Sequence, residues 1–318
     1  MRSSRRALLG AGLLAAASAC TPSSPTSSAT GGGSASAAPG AQSAITGSAA
    51  GSTQVPPPSA PALSPTASAA PSPSPTPGPA AVPDREQVSS RYTGRAPAWF
   101  ALEGEGIVSS TAAEGVCLTF DACGGPGGSG VDAALLDFLL DQQVPFTAFL
   151  NARWIEANPR DTQRLAQAAA AGRVELGNHG TAHRPLSVTG QSAYQIPGTA
   201  SPAEVYDEIM GCQQLLEQVA GTRARWFRPG TAHWDDVAVA IAADLGLRAA
   251  GFSLNADGGA TFSRRAVAQA VGGVQNGDVV IAHLNQPTAA TGAGMLEALP
   301  PLLAAGTRFL TLSAAAGA

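Results

Sequence analysis

The chain has 318 residues with 18 Lys+Arg and 22 Asp+Glu, and every one of its cations is Arg. After Arg2, Arg5 and Arg6 no charge appears until Asp84, and 14 of the 25 prolines also precede that residue. The remainder, 84–318, carries 15 Arg and 22 acids: enough chain for one sizeable core, and too acidic to suit a nucleic-acid binder.

Residues 1–20 read as an export signal. A charged start, an apolar stretch from Ala7 to Ala17 and small residues before Cys20 are the marks of a secretory peptide. The stretch is shorter than the ~20 residues a spanning helix needs. Ser4-Arg5-Arg6-Ala7-Leu8-Leu9 resembles a twin-arginine signal. Ala17-Ser18-Ala19-Cys20 resembles a lipoprotein processing site with Ala17 in place of the usual Leu, which makes Cys20 the expected lipidated residue. Residues 21–83, rich in Ser, Pro, Ala and Thr, lack the apolar side chains needed to offset ordering entropy and are expected to be a disordered linker. As a random coil that linker spans roughly 45 Å, and as extended polyproline about 195 Å.

From about residue 100, short apolar runs alternate with helical patterns. Strands are expected at Val116–Asp121, Phe146–Leu150, Val174–Leu176, Arg225–Phe227, Gly251–Leu254, Asp278–Ala282 and Arg308–Leu312. Helices are expected at Val131–Gln142, Arg160–Ala171, Pro202–Ala220, Val237–Leu245, Arg264–Val271 and Gly294–Leu303. Glu204, Asp207 and Glu208 near the start of the third helix suit its dipole. Repeated alternation with near-continuous apolar strands argues for a parallel α/β sheet, and about seven units suit a barrel.

In such folds, function collects where strands end at their C-terminal side. Here those ends carry Asp121, His179, Arg228, Asn255 with Asp257, and His283. His179 and His183 stand four apart, a metal-ligand spacing, although Gly180 and Pro185 favour a loop over a helix.

Taken together, these residues resemble the polysaccharide deacetylase family, the NodB-homology domains or family 4 carbohydrate esterases. The resemblance runs from about Gly115 to Leu312. Thr119-Phe120-Asp121-Ala122 matches a Thr-Phe-Asp-Asp motif at three positions, and His179 to His183 matches the paired-histidine motif. Arg228-Pro229-Gly230, Asn255-Ala256-Asp257 and Ile281-Ala282-His283 follow in the family's order.

The resemblance implies a NodB-like distorted (β/α)7 barrel and a hydrolase that removes N-acetyl, or O-acetyl, groups from cell-wall or extracellular polysaccharide. It implies a divalent metal, zinc first and cobalt, nickel or manganese next, on His179, His183 and Asp121. A metal there polarises the carbonyl and acidifies water. Asp121 is then the general base, Arg228 its partner, His283 the acid and Asp257 the group that orients His283. Trp234 and Gly230 are expected to bind substrate, and Trp226, Phe252 and Tyr194 are further candidates for a sugar groove. The expected partners are the polysaccharide, the membrane through the Cys20 anchor, and no nucleic acid; the expected state is a monomer on the outer face of the cytoplasmic membrane.

One position departs from the family: its second Asp, a metal ligand, is Ala122 here. Asp121 or water can complete the site, or Asp257 or His233 can substitute. Cys123 is also adjacent, with a direction on the turn that the sequence leaves open. A domain without metal would instead be a glycan-binding module on the same fold.

Gly125-Pro126-Gly127-Gly128-Ser129-Gly130 also fits a dinucleotide-binding fingerprint, which would make the chain an exported oxidoreductase. That reading leaves His179, His183, Arg228 and His283 unused, and Asp121 would repel a pyrophosphate. No Gly-x-Ser-x-Gly motif supports a serine hydrolase. With Cys20 lipidated, Cys117, Cys123 and Cys212 remain for at most one disulfide, Cys123–Cys212 among the options.

Overall fold

The computed structural model describes residues 82–317. The expected signal at 1–20, the Cys20 anchor and nearly all of the linker lie outside the described residues.

The described chain opens with helix α1 (Arg85–Tyr92), then short strands β1 (Phe100–Ala101) and β2 (Ile107–Val108). The alternating body follows: β3 (Val116–Ala122), α2 (Ala133–Asp141), β4 (Phe146–Leu150), α3 (Ala152–Ala157), α4 (Pro159–Ala170), β5 (Val174–Asn178) and α5 (Pro202–Ala220). Next come β6 (Trp226–Phe227), β7 (Trp234–Asp235), α6 (Asp236–Asp244), β8 (Arg248–Ala250), β9 (Leu254–Asn255) and α7 (Arg264–Gly272). Strand β10 (Val279–His283), α8 (Thr291–Ala304), β11 (Phe309–Leu310) and α9 (Leu312–Ala315) complete it.

One parallel sheet runs in the order β2-β8-β6-β5-β4-β3-β10-β9, with β11 beside the start of β3. All of β3 and β4 is buried, as continuous apolar strands covered on both faces must be. Helix α5 is delimited by its sequence. Ser201 caps its N-terminus by accepting from the Glu204 amide, Pro202 opens it, and Gly221 ends it in the left-handed region.

The sheet curls into the expected NodB-like barrel, and its curl depends on a break that the sequence reading missed. Gly251–Leu254 was expected to be one strand. Instead, β8 pairs with β6 and β9 pairs with β10, and residues 251–253 cross between them. One short segment therefore joins both flanks of the sheet. The Gly251 carbonyl accepts from Arg228 Nη2 at 2.7 Å, which fixes the crossing point. Two other expectations shift for local reasons. The helix expected at Arg160–Ala171 is preceded by α3, and the two part at Asn158-Pro159, because proline cannot continue a helix. The last strand is only Phe309–Leu310, since Thr311 caps α9 through the Ala314 amide. Among the described residues no helix is long and apolar enough to cross a membrane.

Candidate active site

The parallel strands deliver their C-terminal ends to one side of the sheet. Asp121 lies at the end of β3, His179 directly follows β5, Arg228 directly follows β6, Asp257 lies two residues past β9, and His283 ends β10.

Asp121 and Arg228 form the buried centre. Arg228 Nη1 donates to Asp121 Oδ1 at 2.9 Å and to Thr119 Oγ1 at 2.8 Å. The guanidinium lies 4.4 Å from the centre of the Phe149 ring, a face-on support that fixes its plane. Burial alone would raise the Asp121 carboxyl, but Arg228, with His179 and His283, outweighs it and holds the group below the ordinary carboxylate range. Asp121 is thus an ionised, aimed carboxylate.

The histidine pair is set by a built loop. His179 Nδ1 donates to the Arg228 carbonyl at 2.7 Å, which turns Nε2 toward the site. Asn151 holds the same turn by donating to the carbonyls of His179 at 2.9 Å and Gly180 at 2.7 Å. Glu208, on the inner face of α5, accepts from the amides of Ala182 at 3.0 Å and Arg184 at 3.1 Å. This clamps the loop around His183, whose φ of 60° is left-handed. Gly180 sits at φ 82°, and a Cβ there would overlap Glu208 Oε1, so only glycine fits. Burial raises the Glu208 carboxyl, although the Arg184 and Ala182 amides oppose the shift.

Cys123 completes the cluster. One ligand atom from each of Cys123, His179 and His183 lies within 4.8 Å of the other two. Sγ is 3.7 Å from His179 Nε2. One sulfur and two imidazole nitrogens suit a tetrahedral cation of borderline softness. Asp121 was expected among the ligands. It stands beside this group, with Oδ2 3.7 Å from His179 Nε2, while its other oxygen is engaged by Arg228.

Asp257 and His283 form the second pair. Both Asp257 carboxylate oxygens lie 3.1 Å from His283 Nδ1. Oδ2 also accepts from the His283 amide at 2.8 Å and from Thr291 Oγ1 at 2.9 Å. Burial opposes charge on the imidazole, but the Asp257 hydrogen bond and Cys123 override it and lift His283 well above its ordinary value. Asp257 therefore holds the ring by Nδ1 and favours the protonated form of His283.

A cavity of about 530 Å³ opens onto Asp121, His183 and His283, and Tyr194, Phe252 and Phe262 are also in its lining. Tyr194 and Phe262 are exposed, 74% and 41%. Tyr194 and Phe252 were anticipated from sequence; Phe262 was not.

Several expected placements are corrected. Trp234 does not line the cavity: it is fully buried, edge-on to Phe227 at 5.5 Å. Trp226 is also buried and donates to Ser313 Oγ at 3.0 Å. Gly230 is not in the cavity lining but lies under the His183 carbonyl, where a Cβ would collide with it. His233 does not join the cluster of His179, His183 and Cys123; its Nδ1 is held by the Thr231 carbonyl at 2.8 Å. Asp257 is held by His283 and is no ligand either. Ala122 is packed into the core, with no polar atom to offer. Cys117, Cys123 and Cys212 are all free thiols, so the Cys123–Cys212 bridge is not formed. The glycine-rich segment does not present a helix N-terminus to a phosphate. Asp132 caps α2 itself by accepting from the Leu135 amide, and Asn285 anchors the Gly128 carbonyl at 2.7 Å.

Residues 109–250 match the family model of polysaccharide deacetylases. That stretch is therefore similar in sequence to a polysaccharide deacetylase domain. Solved structures share the fold. A family 4 pseudoenzyme from Bacillus anthracis aligns with TM-score 0.53 and 21% identity, over 65% of this chain and 67% of that one. The Bc1960 peptidoglycan N-acetylglucosamine deacetylase aligns with TM-score 0.54 and 21% identity, over 66% and 92%. PdaA of Bacillus subtilis, a family 4 carbohydrate esterase, aligns with TM-score 0.51 and 17% identity, over 66% and 83%. Among curated proteins, none matches the chain significantly.

Proposed function

We propose that the protein is a metal-dependent deacetylase of N-acetylated cell-envelope polysaccharide, with peptidoglycan the foremost substrate. The observation that carries this reading is the meeting of an Arg228-held carboxylate and an Asp257-held imidazole across one cavity, beside a pair of histidines suited to metal. A divalent metal on His179 and His183 supplies carbonyl polarisation and a more acidic water.

The chain's own residues supply the rest. Asp121 takes the proton of the attacking water, since Arg228 keeps it ionised. Arg228 is a positioning residue, itself fixed by Thr119, Gly251 and Phe149. His283 gives a proton to the departing sugar nitrogen, which would otherwise leave as a poor anionic group. Asp257 holds the His283 ring in place and favours its charged form. Tyr194, Phe252 and Phe262 offer faces on which a pyranose ring can rest. Export, lipidation at Cys20 and the linker would tether a monomeric domain at the outer face of the membrane, within reach of the wall.

The N-acetyl preference is tested with chitooligosaccharide, peptidoglycan and acetylated xylan, following acetate and new free amines together. Acetate with matching amines from the first two supports the reading; acetate from xylan alone replaces it with O-deacetylation. A second reading, a glycan-binding module without catalysis, is favoured by Ala122 alone. It predicts glycan binding with no acetate from any of the three.

A further inference from the structure

The loss of the family's second Asp leaves the metal site one protein donor short on the sequence pattern. The structure supplies a donor one residue later. Along β3 the side chains alternate between faces. Thr119 and Asp121 point to Arg228, whereas Ala122 points into the apolar core. Continuing the alternation puts Cys123 on the Asp121 side, and its Sγ stands 3.7 Å from His179 Nε2.

The neighbouring candidates are committed elsewhere. Asp121 is paired with Arg228 and Asp257 with His283, and His233 lies outside the cluster of ligand atoms around His179 and His183. Among the described residues Cys123 faces only the histidines around it, and its sulfur hydrogen-bonds no carboxylate or guanidinium. His179 is held by the Arg228 carbonyl in the tautomer that turns Nε2 toward this sulfur.

We infer that Cys123 is the third protein ligand of the metal, a thiolate standing where the family pattern supplies a carboxylate from the preceding residue. This rests on the reading that His179 and His183 hold a divalent metal. Three protein donors leave one position open, the arrangement of a catalytic rather than a structural site. The sulfur also changes which metal is held. Thiolate with imidazole suits zinc and cobalt, whereas manganese and magnesium prefer oxygen. The site is therefore a zinc or cobalt site that rejects the hard cations a carboxylate site would tolerate.

Cobalt(II) added to the metal-free protein provides the test. The wild type should show a near-ultraviolet sulfur-to-cobalt charge-transfer absorption together with visible bands of a low-coordinate ion. Cys123→Ser leaves the other cysteines in place and should lose the charge-transfer band. It should also bind zinc more weakly, by more than the ~10–100-fold that loss of an outer-shell partner costs. Cys123→Asp should regain affinity without the band and should accept manganese. Circular dichroism checks that each variant is folded.

Cobalt binding to the wild type without the charge-transfer band, or a band that survives in Cys123→Ser, overturns the inference. Metal-dependent acetate release without the band overturns it while leaving the deacetylase reading intact. The band without acetate release sustains the ligand and overturns the deacetylase reading. Failure to bind cobalt, with no metal-dependent acetate release, contradicts both.

Discussion

Arg228 and Asp121 are paired at 2.9 Å with both side chains withdrawn from solvent, 0% and 4% exposed. Neither group has water to fall back on. Removing one partner of such a pair leaves a buried charge uncompensated, at a cost of roughly 3–5 kcal/mol.

Arg228→Met should therefore destabilise the domain and change its response to acid. Asp121 is held below its unfolded value of about 3.9. Its contribution to stability is fully present above that value and is lost as pH falls through the lower folded one. In Arg228→Met the carboxyl rises instead, so the acid limb of kcat/KM should move to higher pH. Thermal melts and rate profiles over a pH series measure both; an unmoved acid limb would remove Arg228 from the control of the base.

Asp257→Asn should act on the other limb. The carboxylate favours the charged imidazole of His283, whose pKa stands well above its ordinary value. An amide cannot supply that charge, so the His283 pKa falls. The alkaline limb of kcat/KM should then move to lower pH while the acid limb stays. A uniform drop in rate with neither limb displaced would mark Asp257 as structural only.

Thiol chemistry should single out Cys123 among the described cysteines. Burial pushes Cys117 up to about 11 and Cys212 up to about 12, so both remain protonated and inert near neutrality. Cys123 is half-buried and faces the site, and burial is outweighed there by His183, His179 and His283, which lower its pKa. Mass spectrometry after brief alkylation of the metal-free protein should find the label on Cys123 and not on Cys117 or Cys212. Zinc should protect it. Labelling that zinc does not slow would place the thiol away from the metal.

Ala122→Asp restores the family's residue in sequence but not in space. Ala122 is fully buried in the core cluster. A carboxyl there has no partner, so the expected cost is about 3 kcal/mol. For a domain of this size that is a Tm loss of roughly 6–12 °C. An unchanged or higher Tm with tighter zinc binding would show that the carboxylate reaches the histidines after all.

The site was legible where chemistry sits at a strand end. Asp121, Arg228 and His283 directly end or follow an apolar run and His179 stands three residues past one, and parallel strands bring such ends together whatever the loops do. What the sequence hid was orientation. Cys123 was visible but undirected, although the period of two through Thr119 and Asp121 already points to it once the strand is known to reach Ala122. Glu208 read as a dipole-favouring acid near a helix start. It faces inward because Val205, Ile209 and Cys212 on the same helix are buried, and its role as the clamp of the His183 loop is a tertiary fact. Trp234 was misread because an aromatic after a strand end looks the same whether it faces a groove or the core. The break at Gly251 is set by a guanidinium more than 20 residues away, beyond the reach of any local pattern.

Acetate release from N-acetylated chitooligosaccharide and peptidoglycan, compared between the zinc-loaded protein, the same protein in excess EDTA, and His179→Ala, tests the central claim most directly. The account predicts release that EDTA abolishes, zinc or cobalt restores, and His179→Ala lacks while remaining folded. Release that persists in EDTA and in His179→Ala would contradict a metal-dependent centre. No release from either substrate by a folded, zinc-loaded protein that still binds glycan would make the domain a binding module.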